Sequence, residues 1–148
     1  MKKIFNSIVL VGFVAFSAIA QQNVNSGVVQ VATTSFTPTH EGPFIQLERM
    51  AHDYGVLNQG DNGTTEIKFK NTGSEPLILL NVHSGCACAG ATWSREPIMP
   101  GQESVIVVRY DTNIIGRIGR VFTITTNSVG GNERVFFRLS GQVQPRAR

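Results

Sequence analysis

The sequence predicts an all-β fold, two antiparallel sheets packed face to face in one domain. Three observations lead there. From Phe44 onward apolar residues recur with a period of two, the signature of half-buried strands. Turn signals built from Gly, Pro and Asn separate these runs at short intervals. No stretch carries the helical apolar period over a useful length. Six or seven short strands at this spacing predict a single immunoglobulin-like antiparallel β-sandwich of about seven strands, over residues 43–145.

The elements follow in chain order. Lys2 and Lys3, the apolar run Ile8 to Phe16, and the small residues Ser17-Ala18-Ile19-Ala20 have the three parts of a secretory signal peptide over residues 1–20, cut after Ala20. The apolar run is shorter than the roughly 20 residues a bilayer span requires, and no later segment qualifies. No cysteine near the cut offers a lipid attachment atom. Residues 21–42 are polar and nearly uncharged, and read as a flexible spacer closed by Pro38 and Pro43. Glu66 to Lys70 alternates, with Ile67 and Phe69 on one face and charges on the other. Leu77 to Val82 is apolar on both faces and reads as a more deeply buried strand. Ile106, Val108 and Tyr110 share one face, as do Phe122 with Ile124, and Val135 with Phe137 and Leu139. Phe136 falls on the polar side of its strand. Pro100-Gly101 suits the centre of a type II turn, where Gly supplies the positive φ.

The formal charge of +3 includes Lys2 and Lys3, so the chain after Ala20 holds 11 basic and 10 acidic residues. Such a balance argues against nucleic acid as a partner, and Arg146 and Arg148 read as a solvated tail. The chain is therefore expected to be extracytoplasmic, periplasmic or secreted, without a membrane span.

The order of short motifs carries a resemblance. His52-Asp53-Tyr54-Gly55 is followed by Phe69-Lys70-Asn71-Thr72-Gly73, Pro76-Leu77 and Ser84-Gly85-Cys86-Ala87-Cys88. Then come Trp93, Glu96-Pro97-Ile98, Pro100-Gly101, Tyr110-Asp111-Thr112 and Leu139-Ser140-Gly141. This order resembles the bacterial domain of unknown function family number fifteen seventy-three, over roughly Phe44 to Val143. The resemblance implies a secreted or periplasmic immunoglobulin-like sandwich related to the ASPM–SPD-2–Hydin group, with no defined activity. Two departures stand out against the usual Ser-Cys-Gly-Cys-Thr. Gly85 precedes the first cysteine, and Ala87 stands between the two.

Cys86 and Cys88 are the chain's two cysteines, one residue apart, and the chain's one constellation with chemistry beyond packing. In an exported protein thiols tend to oxidise, so the pair is a candidate disulfide or redox pair. Two thiolates on one face would also offer Cu(I) a two-sulfur bite, with His83 as a candidate third ligand despite facing away in a regular strand. A third reading is two structural thiols, one packed as a small hydrophobe. In an extended strand residues i and i+2 lie roughly 6.6 Å apart, so a bridge would need a bulge or turn there.

Other residues point to no chemistry. His52 and Asp53 face opposite ways if the strand is regular, Trp93 reads as a core or edge aromatic, and Gly116 to Arg120 reads as a hairpin or crossover loop. Asp61-Asn62-Gly63 reads first as a turn. No convergent set of Ser, His and carboxylates suggests catalysis. The expected function is a binding or scaffolding module for an envelope or extracellular protein, without enzymatic activity, with a thiol-redox or Cu(I)-handling protein as the alternative.

Overall fold

Eight strands form in the computed structural model, which describes residues 36–147. The export leader expected over residues 1–20, and the expected spacer as far as residue 35, lie outside the described residues. The strands are β1 (Ile45–Leu47), β2 (Ala51–Asn58), β3 (Thr64–Asn71), β4 (Leu79–His83), β5 (Ala89–Trp93), β6 (Glu103–Tyr110), β7 (Gly116–Thr126) and β8 (Arg134–Gln144). They make two four-stranded sheets, ordered β1-β3-β6-β5 and β2-β8-β7-β4. Among the described residues no helix is long and apolar enough to cross a membrane.

The expected sandwich is present, with one strand more than about seven. β1 and β5 were not separable in the sequence, because three residues and a Gly-Ala-rich five-residue run give alternation too little length. Pairing is antiparallel except between β2 and β8, which run side by side in parallel from Ala51↔Arg138 to Asn58↔Gln144. A bulge at Tyr54-Gly55 interrupts that ladder, and Gly55 adopts a φ of 63° there.

The core lies between the sheets. Ile67, Phe69, Ile106, Val108 and Tyr110 face in from the first sheet, and Ile118, Phe122, Ile124, Phe137 and Leu139 from the second. Alternation placed nearly all of them on inward faces. Phe122 and Phe137 are wholly buried, each contributing roughly 2–3 kcal/mol by leaving water. The Pro100-Gly101 turn has the expected form, with Gly101 at φ 80° and Gln102 N–H donating to Met99 C=O at 3.0 Å.

Two expectations fail. Leu77 to Val82 is not a deeply buried strand: β4 is an edge strand and Leu80 stays 51% exposed. Its apolar run is continuous because the chain changes sheet there, Leu77 bridging Ile98 before β4 joins β7. Gly116 to Arg120 is not a loop but the first part of β7, paired with β8 from Gly116↔Val143 to Arg120↔Leu139. Its glycines and arginines hide a strand whose inward positions are Ile118, Arg120 and Phe122.

At the end of the first sheet where β3 finishes, Asn71 is fully buried. Its side-chain amide donates to the carbonyls of Glu75 and Ile98, both at 2.8 Å. Its Oδ1 accepts from the N–H groups of Gly73 (3.0 Å) and Phe44 (3.4 Å). Gly73 is needed beside it, because a Cβ there would collide with the backbone of Gly42 and Phe44. Upstream, Thr39 N–H donates to Thr72 C=O at 3.0 Å and Gly42 N–H to Ser74 Oγ at 2.9 Å, so residues 39–42 bond to the same corner.

Candidate functional site

The connection from β4 to β5 carries the chain from the second sheet to the first, and Ser84 to Cys88 make the turn. Gly85 enters it with a φ of 71°, in the left-handed region that favours glycine. The left-handed residue therefore precedes the cysteines, at the position where this chain gains a glycine, while Ala87 occupies the position between them. The pair lies in a turn and not in an extended strand. Cys86 and Cys88 are joined as a disulfide with their Cα atoms 5.3 Å apart. Both are half-buried and pack against the rim of the core.

The two sulfurs differ in their neighbours. Arg120 Nε–H donates to Cys88 Sγ at 3.0 Å. Cys86 Sγ has the neutral Ser84 Oγ at 3.8 Å, and that hydroxyl lies 2.8 Å from the Ala89 carbonyl it donates to. Arg120 sits in phase with Ile118, Phe122 and Ile124, so it enters the space between the sheets from β7. Among the described residues no carboxylate lies within ion-pair distance of it. The Cys88 backbone is tied to the end of β6, where Asp111 N–H donates to Cys88 C=O at 2.9 Å. Cys88 also lines a shallow cleft of about 920 Å³, together with Asp61, Asn62, Arg109, Asp111 and Asn113.

His83 is not brought to the pair. It ends β4 on the outer face of the second sheet, opposite Thr123, with Nδ1 3.4 Å from Asn81 Nδ2. Among the described residues no three His, Cys, Asp or Glu side chains gather as a metal-binding group. A soft cation would need the sulfurs reduced and charged, and would then have a two-sulfur bite without His83. His52 and Asp53 also do not converge. The His52 ring stands edge-on to Tyr54 at 4.6 Å, and the Asp53 carboxylate accepts from Gly55 N–H at 2.8 Å. Partial burial, helped by Arg49, holds the His52 pKa below its ordinary value against the smaller pull of Asp53. Trp93 is half-buried on the core rim, its Nε1–H 3.3 Å from Leu79 C=O and the Arg95 guanidinium 4.4 Å above its ring.

Tyr54 and Asp61 mark the same end of the sandwich. Tyr54 Oη–H donates to Gly63 C=O at 2.7 Å, and burial pushes its pKa up to about 12. Asp61 is held below the usual carboxylate range, first by the Asn58 backbone N–H at 2.8 Å and then by other contacts including Arg146.

A second candidate is the outer face of the β2-β8-β7-β4 sheet. Met50 (62% exposed), Val121 (43%) and Phe136 (56%) gather there. Two adjoining hollows share Phe136. One is lined by Met50, Ala51, Val121 and Arg138 and the other by Asn81, His83, Thr123, Thr125 and Arg134, with no carboxylate in either. The outer face of the first sheet is different, with Lys70 and Glu103 paired at 3.7 Å.

The β1–β8 region coincides with a family model matched over residues 45–143. This chain belongs to the family described as Protein of unknown function (DUF1573). No curated protein matches it. A protein of unknown function from Porphyromonas gingivalis W83 superposes with a TM-score of 0.59 at 19% identity, over 75% of this chain and 51% of that one. The chain thus spans about half of that protein's length. The ASH / PapD-like domain 7 of human CEP192 gives 0.58 at 9% identity, over 70% and 87%. The secreted serine protease VesC from Vibrio cholerae gives 0.53 at 17%, over 71% and 24%. At these identities the likeness is one of fold, and the fold of this DUF1573 domain is that of an immunoglobulin-like, PapD-like sandwich.

Of the site residues singled out in the sequence, Cys86 and Cys88 are adjacent in space and His83 stands apart. Arg120 was missed. The signal for it was available: extending the alternation of Phe122 and Ile124 backwards puts Arg120 on the inward face, where a cation needs a partner.

Proposed function

We propose that this chain is an exported binding module whose outer β2-β8-β7-β4 face docks a protein partner bearing carboxylates. One observation carries the reading. Met50, Val121 and Phe136 are exposed together, flanked by Arg134 and Arg138 with no carboxylate in the hollows between them. A monomer gains nothing by exposing an aromatic ring amid aliphatic neighbours, whereas an interface core does. The arginines favour an acidic rim on the partner through steering and register. Export is supported by the leader pattern over residues 1–20 and by paired cysteines, which suit an oxidising compartment. The reading involves no chemistry and no cofactor.

The test is site-specific photocrosslinking in cells, with the probe at position 136 and, as control, at position 68 on the other outer face. A discrete protein adduct is expected from position 136 alone, lost in the Arg134→Glu/Arg138→Glu variant. Equal adducts from both positions, or an adduct indifferent to the charge reversal, would refute the docking face.

A further inference from the structure

We propose that Cys86–Cys88 is a thiol–disulfide exchange site in which Arg120 holds the Cys88 sulfur as the leaving and returning thiolate, acting on the paired cysteines of a second protein. Independent of the docking face, this rests on the asymmetry between the two sulfurs. Cys88 Sγ receives the Arg120 Nε–H at 3.0 Å, whereas the polar neighbour of Cys86 Sγ is a neutral hydroxyl at 3.8 Å. A cation against a sulfur favours its thiolate, and the sulfur with the more stable thiolate leaves faster when a disulfide is attacked. Arg120 is half-buried between the sheets with a sulfur as its bonded partner, where an apolar residue would pack without drawing a charge partly out of water.

The surroundings agree. Asp61, Arg109 and Asp111 also line the cleft beside Cys88. The Asp61 carboxylate is engaged by Asn58 and Arg146 and that of Asp111 by Asn113, while His83 lies on the outer face. Arg120 is therefore the charged group bonded to the sulfur. Gly85 and Ala87 on either side of Cys86 are exposed, so an attacking thiol has an approach. The bridge closes a loop of sequence separation 2, which contributes little to folding, and the buried core between the sheets is built from residues other than the two cysteines.

A substrate thiolate attacks Cys86 Sγ and forms a mixed disulfide. The Cys86–Cys88 bond breaks, and its electron pair goes to Cys88 Sγ as a thiolate against Arg120. The substrate's second thiol, deprotonated, attacks its own sulfur in the mixed disulfide and releases Cys86, which takes up a proton. The substrate dithiol is oxidised by two electrons and the cysteine pair reduced by two, with one of the dithiol's protons passing to Cys86 and the other to solvent. Run backwards on a disulfide-bearing substrate, the same steps re-form the pair.

The experiment uses the protein purified without reductant, with dithiothreitol as the dithiol probe and iodoacetamide as the thiolate probe. Oxidised protein should be reduced by stoichiometric dithiothreitol, about tenfold more slowly in Arg120→Gln. After reduction, brief alkylation near pH 6.5 followed by peptide mapping should label Cys88 about tenfold more than Cys86. Arg120→Lys should retain that preference and Arg120→Gln should lose it, a pattern that simple loss of packing would not produce. Equal labelling of the two cysteines in the unmodified protein overturns the proposal, and that result needs no variant to fold. Two free thiols in protein never exposed to reductant, or a preference unchanged in Arg120→Gln, overturn it equally.

Discussion

The two ends of the sandwich treat buried polarity in opposite ways. At one end Asn71 is fully enclosed, and each polar atom of its side chain meets backbone groups of the Phe44, Gly73, Glu75 and Ile98 segments. At the other end Arg120 is half-buried and bonds to Cys88 Sγ, beside an open cleft. The register separates them: Lys70 pairs with Glu103 near the Asn71 end of β3, while Ala89 next to Cys88 pairs with Tyr110 at the far end of β6. A network whose members are all satisfied fixes geometry and leaves nothing over for a ligand. A cation bonded to a polarisable, reactive atom leaves chemistry within reach. The first end serves stability and the second reactivity.

The largest effect is expected from Asn71→Ala, which takes the side-chain partner from the N–H groups of Gly73 and Phe44 and from the Glu75 carbonyl, while the Ile98 carbonyl keeps only the Leu77 N–H. It is expected to cost about 3 kcal/mol in urea unfolding. A loss below about 1 kcal/mol would mean water replaces the amide and the end is not closed. Removing the bridge with Cys86→Ser/Cys88→Ser should cost less, roughly 1.6 kcal/mol from loop closure, with an unchanged far-ultraviolet dichroism spectrum. A loss as large as that of Asn71→Ala would make the cysteine end structural.

Tyr54→Phe should cost about 1 kcal/mol through the lost hydrogen bond to Gly63. It also alters the alkaline limb. Because the folded pKa is raised to about 12 from 10, the folded state binds more protons between those values. This contribution is whole below pH 10 and is lost as pH rises through about 12. The stability of Tyr54→Phe, followed by urea unfolding across that range, should fall less steeply than that of the unmodified protein. The smallest effect belongs to Asp61→Asn. Its lowered pKa supplies stability present above the ordinary value of 3.8 and lost as pH falls through the folded value. The variant should differ at neutral pH only slightly, and less as salt is added, because the Arg146 pair is at the surface.

Much of the fold was legible because β3, β6, β7 and β8 alternate over enough residues for the period to show. β4 misled because its apolar run spans a change of sheet, so a continuous stretch reports two half-buried environments in succession. The first part of β7 misled because Gly116, Gly119 and two arginines resemble a loop, although Ile118 and Arg120 keep the period of Phe122. Asn71 gave no sign of its burial, since a polar residue at a strand end is ordinarily solvated and only tertiary closure buries it. In the candidate site the cysteines announced themselves by spacing. Arg120 did not, since it meets Cys88 across 32 residues of sequence through the pairing of β4 with β7.

The parallel pairing of β2 with β8 has a mechanical consequence. The start of β2 lies level with Arg138 and the end of β8 level with Asn58, so the two strands point the same way. Tension from the chain before β1 falls first on the three β1–β3 pairs, and beyond them it draws β2 and β8 lengthwise past each other. Their ladder is then loaded in shear, every rung sharing the force at once, whereas an antiparallel pair pulled from its adjacent ends peels open rung by rung.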